Sequence, residues 1–246
     1  MPECIFGPCA ADRRCTTPTG QPEDLLPDTS HLSLVARGAN AIVNDASSPA
    51  SMTDEMAFDL LIAAHGCAGY RRMLLSRAQR EREICGGNRH PYGYAQLSPT
   101  AFDAPAFATV DAPEPDHWEV EHQDEVDRLI VAAALATSEA GRAVAIVTND
   151  DQLQSWTDGL CKSGELRDVE CITSIRMLAQ LALCAAIGLH VLQLLYDAER
   201  RHLEQRRTTQ QIGDARFRCK TDAIQQAETD VAWGGHYGIE VGGEYA

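Results

Sequence analysis

A short apolar run that ends in polar and acidic residues constrains the fold more than any other feature of this sequence. Residues 143–147 read AVAIV, and residues 148–151, which follow directly, read TNDD. An unbroken apolar run of this length is typical of a strand that is buried on both faces, as in a parallel sheet. Parallel strands are joined by long crossovers, which are usually helices. The run therefore predicts an α/β protein in which a buried strand delivers Asp150 to an edge of the sheet.

The rest of the chain continues this alternation of strands and helices. Residues 24–27 (DLLP) form a second short strand that ends at Asp28, and residues 169–173 (VECIT) form a third. We predict a three-layer α/β/α sandwich with a central, mostly parallel sheet, plus a C-terminal helical extension. One predicted helix covers 53–82, with Thr53 as its cap, and Gly66 and Gly69 could split it. Another covers 123–140 and ends at Gly141, and a further helix starts at Gln152. The last covers 174–206, with Ser174 as its cap and Gly188 as its weak point.

Composition shifts suggest three regions. Residues 1–22 are rich in Pro, Thr, Gly and Cys and are predicted to be a flexible N-terminal tail. Residues 23–185 hold the α/β pattern and are predicted to be one domain, which includes a long loop at 86–117. Residues 186–246 are predicted to be the helical extension, with a loose Gly-rich end from residue 230.

The net charge of −15 is unevenly distributed along the chain. Residues 91–170 carry a net charge of −12, whereas residues 71–90 carry +4 and include six arginines. A strongly acidic chain excludes a protein that simply coats nucleic acid with basic residues, because phosphate contacts rely on Lys and Arg. Basic segments at 71–89 and 200–220 flank the acidic middle, and each is either a solvated helix face or a surface that contacts substrate.

The nine cysteines show no disulfide framework, since their number is odd and their spacing irregular. With no secretory signal at the N-terminus, this predicts free thiols and a cytoplasmic location. Cys4, Cys9 and Cys15 lack the close spacing of structural zinc sites. Residues 177–195 are rather apolar, but polar side chains interrupt them, so we predict a buried helix or a homodimer interface there and no membrane span.

Three acidic residues are candidates for a metal site. Asp28 and Asp150 each follow a predicted strand, and Asp127 opens a helix that leads into the strand 143–147. Ligands of parallel α/β sheets bind outside the carboxyl ends of the strands, so these carboxylates are expected to converge there. Clustered carboxylates repel one another unless a cation lies between them, and clusters with only oxygen ligands suit Mg²⁺ or Mn²⁺.

Four segments together resemble the PIN domain family, in which toxin-type members are also found. Residues 26–30 (LPDTS) resemble the family's first strand and turn, and residues 127–135 (DRLIVAAAL) resemble its helix that begins with Asp. Residues 145–153 (AIVTNDDQL) are similar to its strand that ends in Thr-x-Asp, and residues 169–178 are similar to its last strand and helix. The resemblance covers about residues 23–185 and is most specific over 124–181.

This resemblance implies a metal-dependent ribonuclease that hydrolyses RNA phosphodiester bonds with Mg²⁺ or Mn²⁺. It implies that Asp28, Asp127 and Asp150 are metal ligands and catalytic residues, and that a Glu early in an intervening helix joins them. Glu55 is the best match for that Glu, although its distance along the chain from Asp28 is shorter than the family pattern. Further predictions are accessory roles for Asp54, Asp124, Thr148, Asn149 and Asp151, and substrate contacts for Arg71, Arg72 and Arg89.

Two alternatives stay open at this point. The uncertain Glu favours a catalytically degenerate PIN-like scaffold that binds other proteins. Related folds that cut DNA flaps suggest instead a DNA-directed 5′-nuclease. Many members of the family are toxins held inactive by a small antitoxin, which makes an antitoxin-like inhibitor a candidate partner beside the RNA substrate.

Overall fold

The structure, a computed structural model, describes residues 22–84, 99–102, 107–115, 118 and 124–237. Within these residues the chain divides into two compact units. The sheet unit comprises residues up to Ser33 together with Gly69–Ser174. The helical unit comprises Leu34–Ala68 together with the residues from Ile175 onward. This division does not follow the predicted segments 23–185 and 186–246, whose boundaries stay a prediction.

The sheet unit is built around five parallel strands. Their order in the sheet is β3-β2-β1-β4-β5, and every neighbouring pair is parallel. This confirms the predicted α/β class with a central parallel sheet and flanking helices. The strands are β1 (Asp24–Pro27), β2 (Arg72–Ser76), β3 (Phe107–Val110), β4 (Val144–Thr148) and β5 (Val169–Thr173).

The two central strands are the apolar stretches that the sequence marks most clearly. All residues of β1 and β4 are buried, which fits their lack of alternating polar residues. The register pairs Asp24 with Val144 and Pro27 with Val147. After β1 the chain turns to β2 on one side, and after β3 it crosses to β4 on the other. The carboxyl ends of β1 and β4 therefore flank the topological switch point, where ligands of such sheets bind.

Two helices of the sheet unit carry their own start and stop signals. The helix α3 (Glu125–Glu139) begins at the N-cap Asp124, and α4 (Asp151–Ser163) begins at the N-cap Asp150. Gly141 and Gly164 follow their last turns with positive φ angles of 75° and 83°, which glycine adopts at little cost. Apolar side chains of both helices share one core with the sheet, including Leu26, Ile130, Ala134, Ile146, Leu153 and Leu160.

The helical unit consists of α-helices whose apolar side chains are largely buried. The helices are α1 (Thr29–Val43) and α5 (Ser174–Leu183), whose first residues belong to the sheet unit, and α2 (Asp54–Cys67), α6 (Leu189–Thr208) and α7 (Asp214–Tyr237). The Tyr196 hydroxyl, inside this unit, donates to the Ile175 carbonyl at 2.9 Å. Glu199 is buried and forms an ion pair with Arg37. None of the helices in the described ranges combines the length and the apolar character that a membrane crossing requires.

The predicted helix over 53–82 is wrong in its second half. Thr53 caps α2 as predicted, but α2 ends at Cys67, and residues 72–76 form the strand β2. Gly69, with a φ of 103°, breaks the helical path between them. The residues Met73, Leu74 and Leu75 are apolar and consecutive, and such a run does not distinguish a buried strand from a buried helix. Pairing with β1 and β3 decides in favour of the strand.

Other predicted boundaries also change. The predicted loop 86–117 contains the strand β3 and a short 3-10 turn at Pro99–Phe102. The helix α7 continues to Tyr237, so the predicted loose end does not begin at residue 230. The predicted helix 174–206 is interrupted, and Gly188 becomes the N-cap of α6. The tail 1–21, with Cys4, Cys9 and Cys15, and the end from 238 lie outside the described residues.

A close approach of α1 and α6 inside the helical unit leads to a first prediction. A Cβ added at Gly38 would lie 1.9 Å from Leu195 Cδ2 and 3.1 Å from Leu195 Cγ. We expect Gly38→Ala to lower the free energy of unfolding by about 1–3 kcal/mol, because crowding in a packed core outweighs the gain in helix propensity. Chemical denaturation monitored by circular dichroism measures this change.

Gly159 in α4 is the matched control, since a Cβ there has no atom within 4 Å. We expect Gly159→Ala to stabilise the protein by about 0.5–1 kcal/mol through helix propensity alone. Opposite signs for the two substitutions support the close approach. A stabilising Gly38→Ala would show that α1 and α6 are not packed this tightly.

Candidate functional site

Asp28 is the centre of the candidate site and lies at the carboxyl end of β1. Its side chain is buried, with an exposed fraction of only 4%, and it accepts hydrogen bonds from Ser30 Oγ at 2.5 Å and Thr148 Oγ1 at 2.8 Å. The Ser30 backbone N–H donates to the same carboxylate oxygen, Oδ2, at 3.2 Å. These bonds fix the carboxylate, yet burial still raises the pKa of Asp28 above its ordinary value.

Thr148 and Asp150 come from the neighbouring strand end. Thr148 is buried, and its hydroxyl both donates to Asp28 and accepts from the Asp150 backbone N–H at 2.9 Å. Asp150 caps α4 through Oδ1, which accepts from the N–H groups of Gln152 at 2.7 Å and Leu153 at 3.2 Å. Thr148 thus orients Asp28, as the sequence predicts for this position. These capping bonds use one oxygen of Asp150, and Oδ2 takes no part in them.

Asp127 lies in the first turn of α3, two residues inside the helix. Burial, together with the negative charges of Asp28, Asp124 and Asp150, raises its pKa to about 8. Asp124 caps the same helix by accepting from the Val126 N–H at 2.8 Å, and its side chain faces solvent. The structure therefore brings the predicted ligands Asp28, Asp127 and Asp150 into one electrostatic cluster, with the predicted accessory residue Asp124 beside them.

Glu83 is a member of this cluster that the sequence analysis misses. It lies in a π-helical turn, Gln79–Ile84, that follows the carboxyl end of β2. Thr29 Oγ1 donates to Glu83 Oε2. Burial, together with the negative charges of Asp28 and Asp124, raises the pKa of Glu83 to about 7, although the hydrogen bond from Thr29 lowers it. We name Asp28, Glu83, Asp124, Asp127 and Asp150 the carboxylate cluster.

The turn that carries Glu83 is fixed to the end of β1 by Gln79. This side chain is completely buried, and its Nε2 donates to the Pro27 carbonyl at 2.8 Å and to Thr29 Oγ1 at 3.4 Å. Its Oε1 is also buried and accepts no hydrogen bond from any described residue. Buried carbonyl oxygens usually accept a hydrogen bond, from the protein or from an ordered water molecule, so Gln79 Oε1 is an exception next to the turn that carries Glu83.

The donor chemistry of the cluster fits a hard divalent cation. All its ligand atoms are carboxylate oxygens, the type that Mg²⁺ and Mn²⁺ prefer. Its members destabilise each other's charged forms, which a cation would relieve. In the described part of the chain, however, no three His, Cys, Asp or Glu side chains are arranged as a ready-made metal site. Binding would therefore require the carboxylates to turn toward the ion.

Glu55 and Asp54 belong to the helical unit and not to the sheet unit. Both occupy the first turn of α2 in the helical unit, where Glu55 is exposed and Asp54 accepts from Asn40 Nδ2 at 3.2 Å. Within the sheet unit, the glutamate that joins the three aspartates is Glu83. The role predicted for Glu55 as a ligand, and for Asp54 as its neighbour, stays a prediction.

Two of the arginines predicted to bind substrate, Arg71 and Arg72, are described by the structure, and they are not at the carboxyl edge of the sheet. Arg72 begins β2 and holds the carboxylate of Asp24, the first residue of β1, with two hydrogen bonds of 2.9 and 2.8 Å. Arg142 donates to the same carboxylate at 2.9 Å, and Arg71 pairs with Glu23 at 3.4 Å. These pairs lie at the amino ends of the strands, so the structure does not support Arg71 and Arg72 as substrate contacts.

The basic segment 71–89 also contains arginines that follow β2. Arg77, Arg80 and Arg82 follow the carboxyl end of this strand, and Arg82 forms an ion pair with Glu125 in the first turn of α3. The sequence places them in its basic segment but does not separate them from Arg71 and Arg72, because the strand between them reads as helix. Arg89 lies outside the described residues.

Asn149 and Asp151 are the other two residues with a predicted accessory role. Asn149 donates its backbone N–H to Ser30 Oγ at 2.8 Å, which supports the side chain that in turn donates to Asp28. Asp151 is exposed in the first turn of α4. Neither observation gives their side chains a ligand role.

Searches of known proteins add no relationship to this geometry. No protein-family model, no curated protein and no solved structure matches the chain. The resemblance to PIN domains therefore rests on the sequence motifs and stays a prediction.

The raised pKa of Asp127 predicts a pH-dependent loss of stability. In the folded protein its pKa is about 8, against an ordinary value of 3.8. The folded state therefore binds this proton more tightly, and its stabilising contribution is complete below about pH 4 and lost as the pH rises toward 8. We expect Asp127→Asn to raise the free energy of unfolding at pH 8 in EDTA by about 1–3 kcal/mol, and to change it little at pH 4.

Urea denaturation at both pH values measures this difference. Asp222→Asn, an exposed position in α7, is the control and should change the stability by less than about 0.5 kcal/mol at either pH. A destabilising Asp127→Asn at pH 8 without divalent cations would argue that the charged carboxylate makes favourable contacts in the fold.

Proposed function

We propose that this chain is a metal-dependent nuclease of the PIN type, and that its substrate is RNA. The observation that carries the proposal is the carboxylate cluster at the switch point of a parallel sheet, where burial raises the pKa values of Asp28, Glu83 and Asp127 and neighbouring negative charges add to the rise for Glu83 and Asp127. Such repulsion costs stability, which is understandable when the site exists to bind a cation.

Each member of the cluster has a defined part in this proposal. Asp28, Glu83, Asp127 and Asp150 would hold Mg²⁺ or Mn²⁺, while Thr148 and Ser30 keep Asp28 in place through their hydroxyl groups. When bound, the ion would supply positive charge for the phosphate and lower the pKa of the attacking water. Asp124 caps α3 through one oxygen, Oδ1, and adds to the negative potential beside these four residues.

The choice of RNA over DNA rests on the resemblance to PIN domains. The negative potential of the cluster would repel a phosphodiester until divalent cations neutralise it. Arg80 then offers positive charge after the carboxyl end of β2. A protein partner, whether an antitoxin-like inhibitor or a second copy of the chain, remains a prediction that no contact in the described residues addresses.

A catalytically degenerate scaffold is the second candidate. It is favoured by the absence, among the described residues, of three carboxylates already arranged to hold an ion. In that case the cluster would bind no divalent cation. Isothermal titration with Mn²⁺ separates the two candidates, because the nuclease requires binding that is lost in Asp28→Asn.

Cleavage of RNA tests the nuclease directly. We expect single-stranded RNA to be cut in Mg²⁺ or Mn²⁺ but not in EDTA, and we expect Asp150→Asn to lower kcat/KM by about 100-fold or more. Asparagine is as good an N-cap as aspartate, so the substitution keeps α4 intact while it removes the charge. A flap DNA substrate in the same assay distinguishes a DNA-directed 5′-nuclease.

Three variants sharpen this test. Glu83→Gln should lower kcat/KM by about tenfold or more, as loss of a metal ligand does, whereas Glu139→Gln, an exposed position in the last turn of α3, should retain cleavage. Glu55→Gln examines the earlier prediction for that residue under the same conditions. Metal-loaded protein that cuts no RNA and no DNA would overturn the proposal.

A further inference from the structure

A pocket of about 180 Å³ opens beside the carboxylate cluster in the sheet unit. It lies where the carboxyl ends of β2 and β3 meet the start of α3, and its walls come from all three elements. Ser76, Val110 and Leu129 represent them. The pocket is smaller than the roughly 300–1,000 Å³ of sites that enclose a whole small-molecule ligand, so it suits one part of a nucleotide.

Two chain segments contribute to both the pocket and the carboxylate cluster. In the π-helical turn, Arg82 lines the pocket and the next residue, Glu83, belongs to the cluster. In α3, Leu129 lines the pocket and Asp127, two residues earlier, belongs to the cluster. The same turn and the same helix thus build both the pocket and the cluster, and we expect an RNA strand whose phosphate lies at the cluster to pass the pocket.

The lining favours a base over a phosphate. The floor and walls include the apolar side chains of Ala78, Val110, Ala112 and Leu129, which suit the flat face of a base. Arg77 and Arg82 contribute two positive charges, but Glu81 and Asp111 contribute two negative ones. Such a lining has no net charge to attract a phosphate, yet it offers both donors and acceptors to the edge of a base.

The polar groups around the pocket can exchange partners at little cost. Arg77 and Asp111 form an ion pair of 3.1 Å, with side chains that are 57% and 63% exposed. Exposed pairs of this kind contribute about 0–1 kcal/mol, so either group can turn to a bound base without a large penalty.

We propose that this pocket binds the base of a nucleotide next to the phosphate that is cut, and so gives the nuclease a preference for one base at that position. The inference rests on the proposed nuclease function for its biological meaning. Binding of a base to the pocket, however, is measurable on metal-free protein and does not depend on cleavage.

The test is a titration of metal-free protein with the four ribonucleosides, which carry no phosphate, followed by the methyl resonances of Val110, Ala112 and Leu129. We expect at least one nucleoside to shift these resonances saturably at millimolar concentration, and one to bind at least about fivefold more tightly than the others. Arg77→Ala and Asp111→Asn should each lower the affinity for the preferred nucleoside by a similar factor.

The ion pair of Arg71 with Glu23 provides matched controls, because it is also exposed and belongs to the same unit. Arg71→Ala and Glu23→Gln should leave nucleoside binding unchanged. The inference is overturned if no nucleoside shifts the pocket methyls, if all four bind equally, or if inorganic phosphate causes the same shifts. Base binding without any RNA cleavage would instead refute the proposed function while the pocket assignment stands.

Discussion

The parallel pairing of β1 with β4 is the interaction on which the rest of this structure depends. It places the ends of two fully buried strands side by side, so that Asp28 meets the hydroxyl of Thr148 at 2.8 Å and Asp150 follows two residues later. Neither carboxylate could be brought there by local sequence, since more than 100 residues separate them. The burial of Leu25, Leu26 and Ile146 stabilises this pairing.

The strands and helices with clear signals could be predicted from the sequence, and their neighbours could not. The strands before Asp28 and at 169–173, the cap Thr53 and the helix that Gly141 ends follow from apolar runs and local turn signals. The N-cap role of Asp124 was not predicted. The strand β2 is misassigned because Met73-Leu74-Leu75 fits either structure until its partners are known. Glu83 is missed for the same reason: its position after a strand end becomes visible only when β2 is recognised, and its contact with Thr29 spans 54 residues.

The charge of the sheet unit is balanced in one place and unbalanced in another. Asp24 is buried at the amino end of β1, where two guanidinium groups compensate it. Asp28 is buried at the other end, where hydroxyl groups hold it and further carboxylates surround it. A buried charge is tolerated when it is paired, so the first arrangement is structural. Hydroxyl and backbone groups, and no cationic side chain, bond the second carboxylate among the described residues, and this difference supports the metal site proposed for that end of the strand.

These two aspartates also have a consequence for how the sheet avoids misfolding. A strand buried on both faces has no polar side to choose, so a shift of β1 by one residue along β4 would exchange Leu25 and Leu26 at almost no hydrophobic cost. The same shift would pull Asp24 away from Arg72 and Arg142 and draw Asp28 away from Thr148. The two ends of a four-residue strand thus define its alignment, and the polar groups supply the specificity that its apolar interior cannot.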